Sequence, residues 1–115
     1  MYPLIYHKTL SVEKWSTFSK GKQLLMIANE LNRAQNCINN HLTQETNLAY
    51  ERAFELIALT VEDLKWKGKC KELLRCNEML GELYISGEKD AIQNKMLMDN
   101  LIKLSVESYN MLNKK

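Results

Sequence analysis

The sequence contains few side chains whose types and spacing suit catalysis or metal binding. Its two histidines are His7, in the lead-in arm, and His41, in the first loop, so neither shares a predicted helix face with a carboxylate three or four residues away. A di-iron bundle requires paired Glu-x-x-His motifs, and a zinc site requires Cys or His in close pairs. Cys70 and Cys76 would lie on different faces of one helix, and Cys37 is distant from both. We therefore predict no metal, no cofactor and no enzymatic activity.

An enzymatic function would require a metal site formed by glutamate carboxylates alone. The residues that could form it are Glu30, Glu51, Glu55, Glu78 and Glu82. Carboxylates beside an apolar helix stripe more often form salt bridges between helices, which fix register more than they stabilise the fold. Two arginines, Arg33 and Arg52, are available as partners. They would pair across the bundle with Glu55 or Glu30.

The most distinctive local feature is a cluster of cations around one tryptophan, which we call the basic segment. It consists of Lys65, Trp66, Lys67, Lys69, Lys71 and Arg75, with Glu72 as the opposing charge. Clustered cations beside an exposed indole could bind a phosphate backbone while the ring stacks on a base. The other interpretation is a solvated helix start, with Trp66 folded back over the edge of the core. Because the net charge of +2 is low for a nucleic-acid-binding protein, nucleic-acid binding is the alternative prediction.

The composition around these residues is typical of a helical globular domain. The 115 residues are 45% apolar and 26% charged, with one proline and four glycines. Apolar residues at three- and four-residue spacing predict helices over about residues 20–39, 44–64, 69–85 and 90–112, after a lead-in arm over 1–18. Short connections place successive helices antiparallel. We predict one all-α domain over residues 1–115, an up-and-down antiparallel four-helix bundle.

Individual residues predict where these helices begin and end. Ser11 and Ser19 can each cap a helix by accepting a hydrogen bond from a backbone N–H of the first turn. Asn36, Asn39 and Asn40 mark the end of the first long helix, since Asn tolerates the left-handed conformation. Gly68 can adopt a positive φ in the turn before the third long helix.

Each predicted helix has an apolar stripe that we assign to the core. The stripes are Leu24, Ile27, Ala28, Leu31, Ala34 and Ile38; Ala49, Ala53, Leu56, Ile57, Thr60, Val61 and Leu64; Cys70, Leu73, Leu74, Leu80, Leu83 and Tyr84; and Ile92, Met96, Leu97, Leu101, Leu104, Ser108 and Met111. The apolar residues off these stripes are Leu25, Met26, Phe54, Leu59, Met79, Met98 and Ile102. If most of the second set are exposed, they form a patch that implies a partner.

The sequence also indicates the cellular compartment in which the protein is found. No apolar run approaches the ~18 residues of a membrane-spanning helix. The first eight residues lack the basic and then apolar regions of a signal peptide. An odd number of cysteines suits a reducing compartment. We predict a cytoplasmic protein that does not enter a membrane.

Two segments carry a resemblance to known proteins. Residues 52–63 (RAFELIALTVED) and 71–75 (KELLR) resemble small uncharacterised prokaryotic helical proteins with an ERALELLDLT…ELLR pattern, over about residues 15–84. More distantly, the chain is similar to the four-helix-bundle group of the ribosomal-RNA intervening-sequence protein and the accessory variability protein of diversity-generating retroelements. That second resemblance implies a ring-shaped pentamer and, for the retroelement protein, binding to a reverse transcriptase and to nucleic acid through a basic surface.

These observations predict a protein that acts by binding rather than by catalysis. The expected function is that of an interaction protein, a helical bundle that forms a homo-oligomer and binds a protein partner. The absence of a catalytic constellation and the surplus of apolar positions favour it. The alternative is a nucleic-acid-binding accessory protein that uses the basic segment.

Overall fold

The computed structural model describes residues 4–104, and the regular structure in that range is entirely helical. Its elements are α1 (Val12–Trp15), α2 (Lys20–Asn39), α3 (Thr43–Glu62), a 3-10 turn (Leu64–Trp66), α4 (Lys71–Ile85) and α5 (Ala91–Lys103). The prediction of an all-α fold is confirmed. Within the described range, none of the helices combines the length and the apolar character needed to cross a membrane.

The long helices correspond to the predicted ones, with differences at their ends. The helix predicted over 44–64 stops at Glu62, because Asp63 turns to an extended backbone conformation and begins the 3-10 turn. The helix predicted from residue 69 begins at Lys71. The lead-in arm contains α1, which is a single turn. The last predicted helix is seen up to Lys103, and its predicted continuation beyond residue 104 lies outside the described residues.

Side-chain caps explain where three of the helices begin. The hydroxyl oxygens of Ser11 and Ser19 accept hydrogen bonds from backbone N–H groups in the first turns of α1 and α2, so both predicted caps are confirmed. Asp90 caps α5 by accepting from the N–H groups of Ile92 and Gln93 at 2.9 and 3.1 Å. Each cap satisfies donors that a helix start would otherwise leave unpaired.

Two residues with positive φ make the sharp turns after α2 and before α4. The left-handed residue after α2 is His41, with φ 59°, and not one of the Asn residues that were predicted to adopt that conformation, since Asn39 is helical and Asn40 has φ −100°. The N–H of His41 donates to the carbonyl of Ile38 at 3.0 Å, and the next N–H, of Leu42, donates to Cys37 at 2.8 Å. This pair of bonds is a Schellman motif, which satisfies carbonyls at the end of the helix. Gly68 has φ 76°, as predicted.

Helix α2 packs most extensively against α3 and α5, and α4 lies against α3 and α5. The core among them contains most of the predicted stripe residues, including Leu31, Leu56, Leu73 and Leu97. Trp15, in the lead-in arm, is also fully buried. Its indole N–H donates to the Thr60 hydroxyl at 3.0 Å, and its ring lies edge-on to that of Phe18. The arm is therefore part of the core rather than an extension outside it.

Five residues of the predicted stripes are exposed instead of buried, because other faces of the helices pack against the core. The exposed members are Val61, Leu64, Leu74, Ile92 and Met96, with Leu64 82% and Ile92 73% exposed. Leu64 lies outside because α3 has already ended, so it no longer follows the helical periodicity. Ser108 and Met111, which were also assigned inward, lie outside the described residues.

The apolar residues predicted to lie off the stripes are not exposed in this structure. Leu59 and Ile102 are buried, and Leu25 is half-buried. The remaining ones, Met26, Phe54, Met79 and Met98, are partly buried against the core. The predicted patch therefore does not form from these residues. Exposed apolar surface comes instead from five positions that were assigned to the core and from Ile5, Leu42 and Ile85, which were in neither set.

Candidate functional site

The basic segment does not present an exposed tryptophan. Trp66 is 4% exposed, and its indole N–H donates to the side-chain oxygen of Gln23 at 2.7 Å. Gln23 in turn donates to Asp63 at 2.8 Å and to the Trp15 carbonyl at 2.9 Å. These bonds hold the ring inside the fold, so the indole cannot stack on a base. The interpretation in which Trp66 folds back over the core is the one that the structure supports.

The Lys65 side chain is also held by hydrogen bonds within the fold. Its ammonium donates to Asp63 at 2.7 Å and to the Ser16 carbonyl at 2.8 Å, which ties the 3-10 turn to the end of α1. Burial alone would raise the pKa of Asp63. Hydrogen bonds from Lys65 and Gln23 outweigh that effect and hold the pKa of this carboxyl below its ordinary value.

The other cations of the basic segment are exposed. They are Lys67, Lys69, Lys71 and Arg75. Arg75 is paired with Glu72 on the same helix at 3.3 Å. The fold adds a cation that the sequence could not place there, because Lys20 of α2 lies with its ammonium 5.4 Å from the centre of the Trp66 ring. Positive charge is therefore concentrated at the start of α2, in the loop before α4 and in the first turns of α4.

The most extensive polar contact involving the lead-in arm is made by Glu55 of α3. Its carboxylate is 2% exposed and accepts from the backbone N–H groups of Ile5 at 2.6 Å, Tyr6 at 2.9 Å and His7 at 3.1 Å. Nδ1 of His7 lies 3.0 Å from the same carboxylate. Burial alone would raise the pKa of Glu55, but these hydrogen bonds outweigh it and lower the pKa. One buried carboxylate thus holds three consecutive residues of the arm.

A second glutamate of α3 joins the arm to α4. Glu51 accepts hydrogen bonds from the hydroxyls of Tyr6 and Tyr84, the second at 2.7 Å. The bond to Glu51 raises the pKa of Tyr6. The guanidinium of Arg52 lies 5.3 Å from the centre of the Tyr6 ring. Arm, α3 and α4 therefore meet in one polar cluster.

The predicted salt bridges across the bundle are wrong. Arg33 pairs with Glu30 of its own helix at 3.5 Å, and Arg52 contacts the Tyr6 ring. Glu55 is held by the arm instead of by an arginine. His7 lies between these two glutamates, with its Nδ1 3.0 Å from Glu55 of α3 and its Nε2 4.0 Å from Glu30 of α2.

The five glutamates considered for a carboxylate-only site have separate roles. Glu51 and Glu55 accept hydrogen bonds from the arm, Glu30 faces Arg33, and Glu78 and Glu82 are exposed on α4. Among residues 4–104, no group of three or more His, Cys, Asp or Glu side chains has a geometry that could hold a metal ion.

The three cysteines are free thiols. Cys76 is buried in the core, where burial raises the pKa of its thiol, and Cys37 is half-buried. The Cys70 thiol donates to the Trp66 carbonyl at 3.3 Å. Cys76 belongs to the hydrophobic core, and Cys70 packs against it.

A groove between α3 and α4, which we call the apolar groove, contains two of the exposed large apolar side chains. It encloses about 310 Å³ and is lined by Phe54, Ile57, Ala58, Val61, Glu62, Leu74 and Asn77. Val61 and Leu74 are its exposed large residues. Both had been assigned to the core. A side chain of another molecule that entered this groove would remove apolar surface from water.

A buried hydrogen-bond network joins α2, α3 and α5. Asn94 of α5 is fully buried; its amide donates to the Leu31 carbonyl at 3.0 Å and to the Gln35 side chain at 2.8 Å. Its oxygen accepts from the Tyr50 hydroxyl at 2.8 Å. Burial raises the pKa of Tyr50 to about 12. Sequence reasoning missed this network, because a lone Asn in a helix has no local signal that it is buried.

The fold and these surfaces define an all-helical protein with a buried polar framework and an exposed apolar groove. Comparison of the chain with protein-family models, with curated proteins and with solved structures found no match in any of the three. Its function must therefore be inferred from its own residues.

Proposed function

We propose that this protein is a non-enzymatic interaction protein that self-associates and binds a protein partner. The observation that carries the proposal is the apolar groove, where Val61 and Leu74 expose large apolar side chains beside Phe54 and Ile57. A protein partner that placed an apolar side chain in this groove would remove the Val61 and Leu74 side chains from water. We also propose that it works in the cytoplasm, where its free thiols would stay reduced.

We further propose that the four long helices form an up-and-down bundle. Short connections support this arrangement, because α2 and α3 are joined by residues 40–42 and α4 and α5 by residues 86–90. The packing of α2 on α3 and α5, and of α4 on the same two helices, is consistent with it. In such a bundle the apolar groove runs along one outer face.

Light scattering of the purified chain over a range of concentrations tests the self-association. We expect an oligomer that dissociates on dilution, and we expect Leu74→Lys to weaken it by placing a charge in the groove. Leu64→Lys is the matched control, because Leu64 is 82% exposed but does not line the groove. A chain that is monomeric at every concentration would show that self-association is wrong.

Affinity capture from the native host tests the protein partner. We expect a specific partner that is retained by the Leu64→Lys variant and lost by the Leu74→Lys variant. Equal capture by both variants would place the contact elsewhere and contradict the proposal.

Nucleic-acid binding is the second candidate, and one observation favours it. Lys67, Lys69 and Lys71 remain exposed, and Lys20 adds to their charge. With Trp66 buried, such binding would depend on phosphate contacts alone, so it would weaken steeply with salt. A gel-shift assay at low salt tests it, with Lys67→Glu and Lys69→Glu as the variants. No shift, or an unchanged shift in both variants, would contradict it.

A further inference from the structure

A second pair of exposed apolar side chains lies on α5. Ile92 is 73% exposed and Met96 is 51% exposed. Residues four apart are neighbours on one face of a helix, so these two side chains project side by side; we call them the α5 ridge. They border a shallow depression that also includes Gln35 of α2. The apolar groove is formed by α3 and α4, and both surfaces are exposed, so neither covers the other within one chain.

The spacing of the α5 ridge suits the shape of the apolar groove. On the α3 side the groove is lined by Phe54, Ile57 and Val61, which lie three and four residues apart and so extend along the helix. A helix binds in a groove of this kind by inserting side chains from successive turns of one face. Ile92 and Met96 are separated by one turn of α5 and can enter the groove together.

The charges beside the two surfaces are complementary. Glu62 lines the apolar groove, and within residues 4–104 it forms no salt bridge. Lys95 lies on α5 between the two ridge residues in sequence, and its side chain is 63% exposed. Its ammonium is 4.0 Å from Asp99, and an exposed pair at that distance contributes little. Lys95 is therefore available to a carboxylate of another molecule.

A contact between two apolar grooves would lack this match. Among the described residues that line the groove there is no cation, so two facing grooves would bring two Glu62 carboxylates into one contact without a partner. The α5 ridge would also stay exposed. Insertion of the ridge into the groove removes the exposed apolar residues of both surfaces from water and brings a cation to Glu62.

We propose that the occupant of the apolar groove is the α5 ridge of a second copy of this chain, with Lys95 facing Glu62. The contact is head-to-tail, because each copy offers its ridge to one neighbour and its groove to another. The inference rests on the self-association in the proposed function and names the second surface that carries it.

Light scattering of two variants tests the contact. Ile92→Glu changes the ridge and Leu74→Glu changes the groove, and each places a carboxylate in an apolar contact. Ile85→Glu is the matched control, because Ile85 is 82% exposed and lines neither surface. We expect both test variants to self-associate at least about tenfold more weakly than wild type, and the control to associate as wild type does.

Mixing the two variants separates a head-to-tail contact from a two-fold one. The Leu74→Glu variant keeps an intact ridge, and the Ile92→Glu variant keeps an intact groove. An equimolar mixture should therefore form a one-to-one heterodimer that does not grow further, since the surfaces left free both carry the added carboxylate. A mixture that stays monomeric where wild type associates would overturn the proposal.

Exchange of the two charges tests the orientation. Glu62→Lys and Lys95→Glu should each weaken self-association, and the variant with both changes should recover it, because the pair is restored with its signs reversed. A double variant that associates more weakly than either single variant would show that Lys95 does not face Glu62, and the proposed contact would be wrong.

These measurements also distinguish failure of this inference from failure of the proposed function. If Leu74→Glu weakens self-association and Ile92→Glu does not, the groove still mediates the contact, and the α5 ridge is not its occupant. If the wild-type chain is monomeric at every concentration, self-association itself is wrong, and this inference is overturned with it.

Discussion

Replacing Glu55 with Gln should release the lead-in arm from the helical core. The carboxylate accepts from the N–H groups of Ile5, Tyr6 and His7 and faces the His7 ring. An amide has a single accepting oxygen, and its NH₂ group would oppose N–H donors that now point at the second carboxylate oxygen. Glu55→Gln therefore keeps the shape of the side chain while removing its charge and about half of its accepting capacity.

The expected cost follows from these contacts. A hydrogen bond to a charged group contributes about 1.5–3 kcal/mol, and a neutral one about 1 kcal/mol. Losing two bonds and weakening the others should lower the free energy of unfolding by about 2–4 kcal/mol. Because the arm can detach while the long helices stay folded, the loss in unfolding free energy cannot exceed the free energy with which the arm packs on those helices. Detachment would also free Leu4, which packs against the core.

Urea unfolding and limited trypsin digestion measure the two effects. Lys8 is exposed within the arm, so cleavage after it should accelerate in the variant once the arm detaches more often. Glu78→Gln is the control, because Glu78 is an exposed glutamate of α4. If Glu55→Gln unfolds within about 0.5 kcal/mol of wild type and is cleaved at the same rate, the reasoning from the hydrogen bonds is refuted.

The same contact predicts a dependence on pH. The folded pKa of Glu55 is lowered, so its contribution is fully present above the unfolded pKa of about 4.3. It should be lost as the pH falls further, through the folded pKa. The difference in stability between wild type and Glu55→Gln should therefore be constant near neutrality and shrink in acid. A difference that grows in acid would contradict this assignment.

Three other substitutions test the buried network and the turns by urea unfolding. Tyr50→Phe should cost about 1–3 kcal/mol, because it leaves the buried oxygen of Asn94 without its donor; a cost near zero would mean that the bond contributes nothing. Gly68→Ala should cost about 1–2 kcal/mol from backbone strain alone, since φ is 76° and the space around the added methyl is open. His41→Gly should be neutral or stabilising by up to about 1 kcal/mol, because φ is 59°; a clear loss would show that the His41 side chain makes a stabilising contact.

Helix ends could be predicted from the sequence because their causes are local. Ser11 and Ser19 cap through a bond to a backbone N–H three residues away. Gly68 adopts its positive φ because a residue without Cβ has little penalty there. Such effects need no knowledge of which helices become neighbours.

Helix faces were predicted less well, because packing partners decide them. Val61 and Leu74 have the spacing of core residues, yet the core is filled partly by Trp15 and Trp66, which come from segments outside the long helices. The spacing of apolar residues shows that a helix has apolar faces. It does not identify the face against which another helix packs. The exposed groove could therefore not be predicted from spacing.

The polar contacts at the candidate sites could not be predicted from the sequence, because their partners are far apart along the chain. Glu55 bonds to a residue 50 positions earlier, and the arm residues carry no motif that identifies a carboxylate partner. Lys20 and Trp66 of the basic segment are also far apart in the sequence, although the fold brings the Lys20 ammonium over the Trp66 ring. Only the assembled helices bring these groups within reach of one another.

The dependence of the arm on Glu55 also sets an order of events during synthesis. Residues 5–7 emerge from the ribosome before Glu55, because the carboxylate that holds them is made about fifty residues later. Until α3 exists, Ile5, Tyr6 and His7 have no acceptor in place, and Trp15 lacks the hydroxyl of Thr60. The nascent chain must therefore carry an undocked arm with an exposed indole through the translation of α2. We expect this interval to be when the protein depends most on chaperones.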